Sequence, residues 1–257
     1  MPDYYFFQPY VPVAERRARA GVELRRLLRP HGRRPAPIIV EGRAIARTFW
    51  GRAWCANLER YSDFASRLPR GRTYARNRSV LDLEIRPGAV RAYVAGYDLY
   101  TVEVSIRPLA ARRWRAVVSA CGSRIASAVA LLRGELSDDV LAALTHAKQG
   151  LFPERREILM RCSCPDVATM CKHVAATLYG VGARLDEQPE LFFTLRRVDQ
   201  ADLIGGIAPT KVGGVGKKTR GKVIVSTKKL EAIFGIELDE VPPAPAGRPR
   251  GRRRAGR

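Results

Sequence analysis

Along the middle of the chain, apolar positions recur in two rhythms. Between Ile45 and Leu68, Phe49, Trp50, Trp54, Leu58 and Tyr61 fall three to four residues apart, which predicts one helix with a broad apolar face. The period then drops to two. Leu81, Leu83 and Ile85 alternate with Asp82 and Glu84, Pro87-Gly88 marks a turn, and Val90 to Ala95 returns. Tyr100, Val102, Val104 and Ile106 then take one side while Thr101, Glu103 and Ser105 take the other. These runs predict an antiparallel β-meander with one wet face. Trp114, Val117, Val118, Cys121, Ile125, Val129 and Leu132 restore helical spacing, with Cys121 on the apolar stripe as a small core residue. Ser137-Asp138-Asp139 reads as the N-cap and acidic first turn of another helix, and His146 as a partner for its C-terminal dipole. Glu157 to Arg161 reads as a strand, and Val174, Leu178 and Val181 as a helical stripe. The pattern predicts an α+β fold: a helix, a β-meander and further helices.

Within that pattern, three of five cysteines and one of three histidines fall inside twelve residues: Cys162-Ser-Cys164, six residues, then Cys171-Lys-His173. Alternate residues of a strand share a face, so Cys162 and Cys164 can aim at one ion. In a tetrahedral zinc site the sulfurs stand about 3.8 Å apart, closer than the i to i+2 span of a straight strand, so the backbone must bend at the pair. Pro165 is placed to end the strand there. On the other side, Cys171 belongs at a helix entrance with His173 in the first turn, which predicts a strand, a knuckle and a helix. Three thiolates and an imidazole would leave a zinc site formally at −1, offset by the neighbouring Arg161 and Lys172. Unpaired cysteines on a basic surface are the plain alternative. A redox pair fits less well, because Cys-x-Cys is not the Cys-x-x-Cys of thiol–disulfide exchange. One structural Zn2+ is the cofactor this spacing predicts.

Written out, CSCPDVATMCKH follows Cys-x-Cys-x6-Cys-x-His and resembles the SWIM-type zinc finger, in a bacterial form that extends from about residue 40 to about residue 205. The resemblance maps Cys162, Cys164, Cys171 and His173 onto the metal ligands. It departs at Val167, where relatives often carry an aromatic residue. It implies DNA-binding or protein-interaction roles, and a Swi/Snf-type ATPase as a partner.

Charge narrows the setting. The 257 residues carry a formal net charge of +21 with 46% hydrophobic content, enough apolar material for a core inside a strongly cationic surface. Such a field favours a polyanion, nucleic acid first. Residues 1–43 run from aromatics (Tyr4, Tyr5, Phe6, Phe7, Tyr10) into repeated arginines and read as a basic, partly flexible segment. Residues 44–150 form the α+β core, 151–206 the zinc finger with its following helices, and 207–257 a basic, largely disordered tail with a short apolar segment at 222–238. An odd number of cysteines, no signal-peptide core and no apolar run of membrane-spanning length point to a cytoplasmic protein, with nucleoid association open.

Between the first helix and the first strand, Arg70, Arg72, Tyr74, Arg76 and Arg78 form a basic loop able to grip phosphates and stack a base, with Lys172 beside the metal. A basic approach to a hairpin with Tyr74 tucked onto the core competes with that reading. No catalytic constellation appears: four protein ligands leave the metal no open position, and Gly213 to Lys218 lacks the spacing of a phosphate-binding loop. The sequence therefore points to a non-enzymatic, nucleic-acid-associated adaptor, DNA before RNA, with no membrane and no small-molecule substrate. Its rival is a protein–protein interaction module without nucleic-acid contact.

Overall fold

The computed structural model describes residues 11–61, 65–122 and 124–204. The aromatic cluster Tyr4 to Tyr10, the basic tail 207–257 and its apolar segment at 222–238 lie outside them. Chain order runs α1 (Val13–Leu28), α2 (Phe49–Glu59), α3 (Leu68–Arg76), β1 (Val80–Arg86), β2 (Ala89–Ala95) and β3 (Leu99–Ile106). It continues with α4 (Ala111–Cys121), α5 (Ala128–Arg133), α6 (Asp138–Thr145), β4 (Ile158–Cys162), α7 (Lys172–Glu187), α8 (Leu191–Arg196) and α9 (Ala201–Ile204). The strands form one sheet in the order β1-β2-β3-β4, antiparallel throughout. The fold is α+β, and the strand that leads into Cys162 is the fourth member of the meander. All described residues fall within one compact unit, Met1–Thr210.

One face of the sheet carries Leu83, Val90, Ala92, Val94, Val102, Val104, Ile106 and Ile158 into the main core, opposite α7. Helices α2 and α3 pack along α7. Trp50 and Trp54 are fully buried, and their indole N–H groups donate to the carbonyls of Leu131 (2.9 Å) and Leu178 (2.8 Å), so neither ring leaves an orphan donor. Thr48 makes no side-chain cap for α2. The Asp186 carboxylate from α7 does so instead, accepting from Arg47 N (2.6 Å), Thr48 N (3.1 Å) and Thr48 Oγ1 (2.7 Å).

The second face of the meander is not wet along its whole length. Leu24 and Leu28 of α1 bury against Tyr93, with Leu81 and Leu99 at the edge of that cluster. A register shift between Val80 and Asp82 is the reason Leu81 parts company with Leu83. Asp82 is consequently buried, pairing with the Arg33 guanidinium and accepting from Ala36 N at 2.8 Å. Residues 13–28 of the basic N-terminal segment form helix α1, which packs on this face of the sheet. Beyond it, Ile38 N donates to Val80 O (3.0 Å) and Leu83 N to Ala36 O (3.0 Å), which covers the β1 edge.

Three other expectations change. The helix expected from Ile45 to Leu68 is confined to α2, and its supposed end begins α3. The helix expected through Leu132 divides at Gly122, whose φ of 56° and ψ of −147° suit only glycine, and α5 restarts at Ser127, whose Oγ accepts from Ala130 N. Cys121 is fully buried, but Val129 is 57% exposed. His146, at the C-cap of α6, accepts at Nδ1 from Lys148 N (3.3 Å) and Gln149 N (3.1 Å), so its ring also closes the next turn.

The α3–α7 crossing rests on one glycine. A Cβ on Gly71 would lie 2.4 Å from Ala175 Cβ and 2.8 Å from its carbonyl carbon. Gly71→Val is expected to lower the midpoint of urea unfolding at a cost of about 1–3 kcal/mol. Thr73→Ala, on the exposed face of the same helix, should shift it by no more than ~0.5 kcal/mol. Equal midpoints for the two variants would place the crossing elsewhere.

Candidate metal centre

Strand β4 delivers the first ligand pair. Cys162, its last residue, pairs with Val102, and Ser163 continues the ladder by donating N–H to Thr101 O (3.0 Å) while its Oγ accepts from Thr101 N (3.0 Å). Regular pairing stops there, and the chain bends through 163–165, so Cys162 and Cys164 both lie half-buried against the core. The knuckle is held by Asp166, whose Oδ1 accepts from Ala168 N (3.1 Å) and lies 3.7 Å from the Arg67 guanidinium. Val167, at its tip, is fully exposed.

Helix α7 delivers the second pair. Cys171 is its N-cap, with Sγ accepting from Val174 N at 3.5 Å, and His173 stands in the first turn. Both are 1% exposed. His173 Nδ1 lies 3.8 Å from Cys162 Sγ and 3.8 Å from Cys171 Sγ, and the four ligand atoms all lie within 4.8 Å of one another. The two 3.8 Å separations are close to the edge length of about 3.6–3.8 Å expected of ligands in a tetrahedron around a zinc-sized ion. Cys162, Cys164, Cys171 and His173 thus form a cluster that can hold a metal ion, with Nδ1 as the imidazole ligand.

The ring of His173 is positioned from outside the finger. Tyr100 of β3 lies over it, centroids 4.4 Å apart, and Tyr74 of α3 meets it edge-on at 5.4 Å. Gly96, at the β2–β3 turn, supplies the remaining space: a Cβ there would stand 2.8 Å from His173 Nε2 and 2.6 Å from the Tyr100 ring. His173 Nε2 is buried with no hydrogen-bond partner, so stacking and shape hold the ring in place of the usual second hydrogen bond. Sequence spacing gave no sign of Gly96 or Tyr100. Both act on His173 from more than seventy positions away.

Proton affinities within the cluster are divided. A hydrogen bond with the Cys162 thiol, helped by His173 and the Val174 N–H and opposed by burial, brings Cys171 down to about 3. The same bond, with burial, pushes Cys162 up, and burial raises Cys164. The N-terminus of α7 adds its dipole in favour of a thiolate at Cys171. One thiolate is therefore ready for a cation, while two thiols must lose protons as it binds.

The six residues expected to contact nucleic acid separate. The basic loop is helix α3: Pro69 sits in its first turn, and Leu68, Gly71 and Ala75 form the stripe that packs on α7. Arg72 and Arg76 lie on its α2 side and are engaged there. Arg72 pairs with Glu59 and donates from Nε to Tyr179 Oη (2.9 Å), while Arg76 donates from Nε to Arg43 O (2.9 Å). Arg70, Tyr74 and Lys172 gather beside the metal cluster. Tyr74 is half-buried with the Lys172 ammonium 5.8 Å from its ring centroid, and Arg70 is exposed. Arg78 is exposed at a left-handed turn (φ 56°) leading into β1. Arg161 stands opposite Glu103 on the exposed face of β4, away from Cys162, so Lys172 alone of the two expected cations flanks the cluster.

Fold and site together define an α+β protein with a candidate Cys3His metal centre at the corner between a sheet edge and a buried helix. Over 212 residues, 80% of its length, the chain is 31% identical to the uncharacterized protein Rv2102 of Mycobacterium tuberculosis (strain ATCC 25618 / H37Rv), of which it covers 76%. The chain belongs to the family of that protein. No family profile matches the chain, and no solved structure matches it. Among the described residues no helix is long and apolar enough to cross a membrane.

Two measurements test the centre. Elemental analysis of the purified protein should give one metal ion per chain, falling well below one for Cys164→Ser; full stoichiometry in that variant would remove Cys164 from the ligand set. Because the raised Cys162 and Cys164 thiols hold protons near neutrality, acid competes with the metal. Affinity for added Zn2+, read against a chromophoric chelator, should fall by about a hundredfold per pH unit lost, roughly two protons per ion.

Proposed function

We propose that the cluster is a structural zinc site of the SWIM type, and that the corner it braces is a nucleic-acid-binding surface of a non-enzymatic adaptor, with DNA the principal ligand. The donor set supports zinc: three sulfurs and one imidazole nitrogen within 4.8 Å of one another suit a borderline-soft ion, and four protein ligands leave no position for an activated water. Bound zinc would supply a rigid four-way link between β4 and α7. The observation that carries the binding reading is the placement of Arg70, Lys172 and Arg78. These exposed or half-exposed cations stand around an ordered corner, with no carboxylate paired to any of them among the described residues. Arginine and lysine so presented meet phosphates without first breaking an internal ion pair. The net charge of +21 supplies the long-range attraction. The SWIM resemblance adds a Swi/Snf-type ATPase as the partner to seek, and cytoplasmic, nucleoid-associated material as the place to seek it.

Fluorescence anisotropy with full-length, zinc-loaded protein and labelled DNA tests this across salt concentrations. Arg70→Ala/Lys172→Ala/Arg78→Ala should weaken binding and reduce the slope of log K against log salt by about two to three, close to one per phosphate contact. An unchanged slope at full zinc content would remove this face. Binding by a protein partner with no nucleic acid bound at any salt would favour the interaction module.

A further inference from the structure

On the α2 side of α3 the chain forms a cleft of about 280 Å³ that neither the metal centre nor the proposed nucleic-acid face uses. Its walls come from α2, α3, α7 and the segment that leads into α2. Ile45, Ala46, Cys55 and Ala56 give it a small, largely apolar lining. Burial, with the Glu59 and Asp186 carboxylates, pushes the Cys55 thiol up to about 12, so that lining is uncharged at neutral pH. Around it stand Arg43, Arg52, Arg72 and Arg76, with Glu59 as the one carboxylate in the wall.

These cations are anchored in two ways. Arg72 donates to Glu59 and, from Nε, to Tyr179 Oη (2.9 Å), while the Tyr179 hydroxyl donates to Glu59 Oε1 (2.9 Å). Arg76 donates from Nε and Nη2 to a single carbonyl, Arg43 O (2.9 and 2.5 Å). The loop carrying Arg43 is closed on itself by Arg47, which donates to Glu41 O (2.6 Å). Each set of bonds uses only part of a guanidinium's donors and leaves the rest for another acceptor. Charge is offset unevenly. Glu59 compensates Arg72, whereas Arg76 is bonded to a neutral carbonyl. Arg43 and Arg52 are exposed, with no carboxylate paired to either among the described residues. Four arginines against one glutamate leave a net +3 over the cleft. Like charges gathered over an apolar recess repel one another, and an anion relieves that repulsion.

We propose that this cleft binds a phosphate monoester or diphosphate group, gripped by Arg43, Arg52 and the unused donors of Arg76. Guanidinium groups meet phosphate oxygens bidentately, and +3 suits a group with more than one negative charge better than the single charge of a phosphodiester. The volume lies close to the lower limit of about 300 Å³ for small-molecule sites, which leaves room for the phosphoryl group and a small substituent. Two sources present that chemistry: a free phosphorylated small molecule and the 5′-phosphate end of a nucleic-acid strand. The site does not depend on the nucleic-acid reading above, since none of its residues belongs to that face.

Isothermal titration calorimetry of the full-length, zinc-loaded protein with pyrophosphate at fixed ionic strength tests the site. Binding should saturate at a single equivalent per chain. Arg43→Ala/Arg52→Ala should weaken it by about 10- to 100-fold. That variant keeps the Arg43 carbonyl on which Arg76 rests. Arg70→Ala/Arg78→Ala removes the same charge elsewhere and should leave the affinity within about twofold. Equal losses in the two variants, the mark of a diffuse cationic field, overturn the proposal, as does the absence of saturable binding. A 5′-phosphorylated 20-mer and its 5′-hydroxyl counterpart then separate the sources. A preference for the phosphorylated strand that Arg43→Ala/Arg52→Ala abolishes identifies the strand end. Equal affinity for the two strands, with pyrophosphate still bound, identifies a free small molecule. The nucleic-acid face is judged by the salt slope of its own variant, so the two readings fail separately.

Discussion

Helix α7 is buried on nearly every side, and that constraint organises the molecule. The sheet lies against one flank, α2 and α3 against others, so no turn of the helix can carry bulk all round. Small residues sit where backbones meet. Gly71 and Ala175 allow α3 in, and a Cβ on Gly51 would stand 2.4 Å from Gly182 O. Polar groups that the packing buries are satisfied across helices, as in the cap that Asp186 provides to α2 and the bond from Trp54 to Leu178 O. A helix so enclosed has one fixed start, and the metal cluster is built on that start.

This placement gives the candidate centre its physical character. Cys171 takes the N-cap position and His173 the first turn, while Cys162 and Cys164 arrive from the last edge of the sheet. A bound ion would therefore join two elements already packed in a common core. Its effect would concentrate on the corner itself: the knuckle with exposed Val167, the ring of His173, and the turn at Gly96 that rests on that ring.

Much of this was legible in the chain. Period-two alternation from Tyr100 to Ile106 predicted the buried face of β3, because a strand in a half-buried sheet has no other way to segregate its side chains. Cys-x-Cys followed by Cys-x-His predicted the bend and the helix entrance, since ligand reach and strand geometry permit little else. The basic segment at 68–78 misled. Its arginines mask Leu68, Gly71 and Ala75, a sparse stripe of mostly small residues that is apolar enough only because α7 approaches closely. Leu81 misled for a different reason, a register shift that alternation alone does not reveal.

What the sequence determined by itself was therefore local: the secondary-structure rhythm, the ligand set and the excess of positive charge. Each depends on spacings of a few residues. Tertiary structure alone decided which of the cations are engaged and which face solvent, because Glu59, Tyr179 and the carbonyl of Arg43 reach Arg72 and Arg76 from distant segments. It also decided that Tyr100 and Gly96 shape the pocket of His173. Those relations exist only once the β2–β3 turn and the start of α7 have been brought together by burial of the core between them.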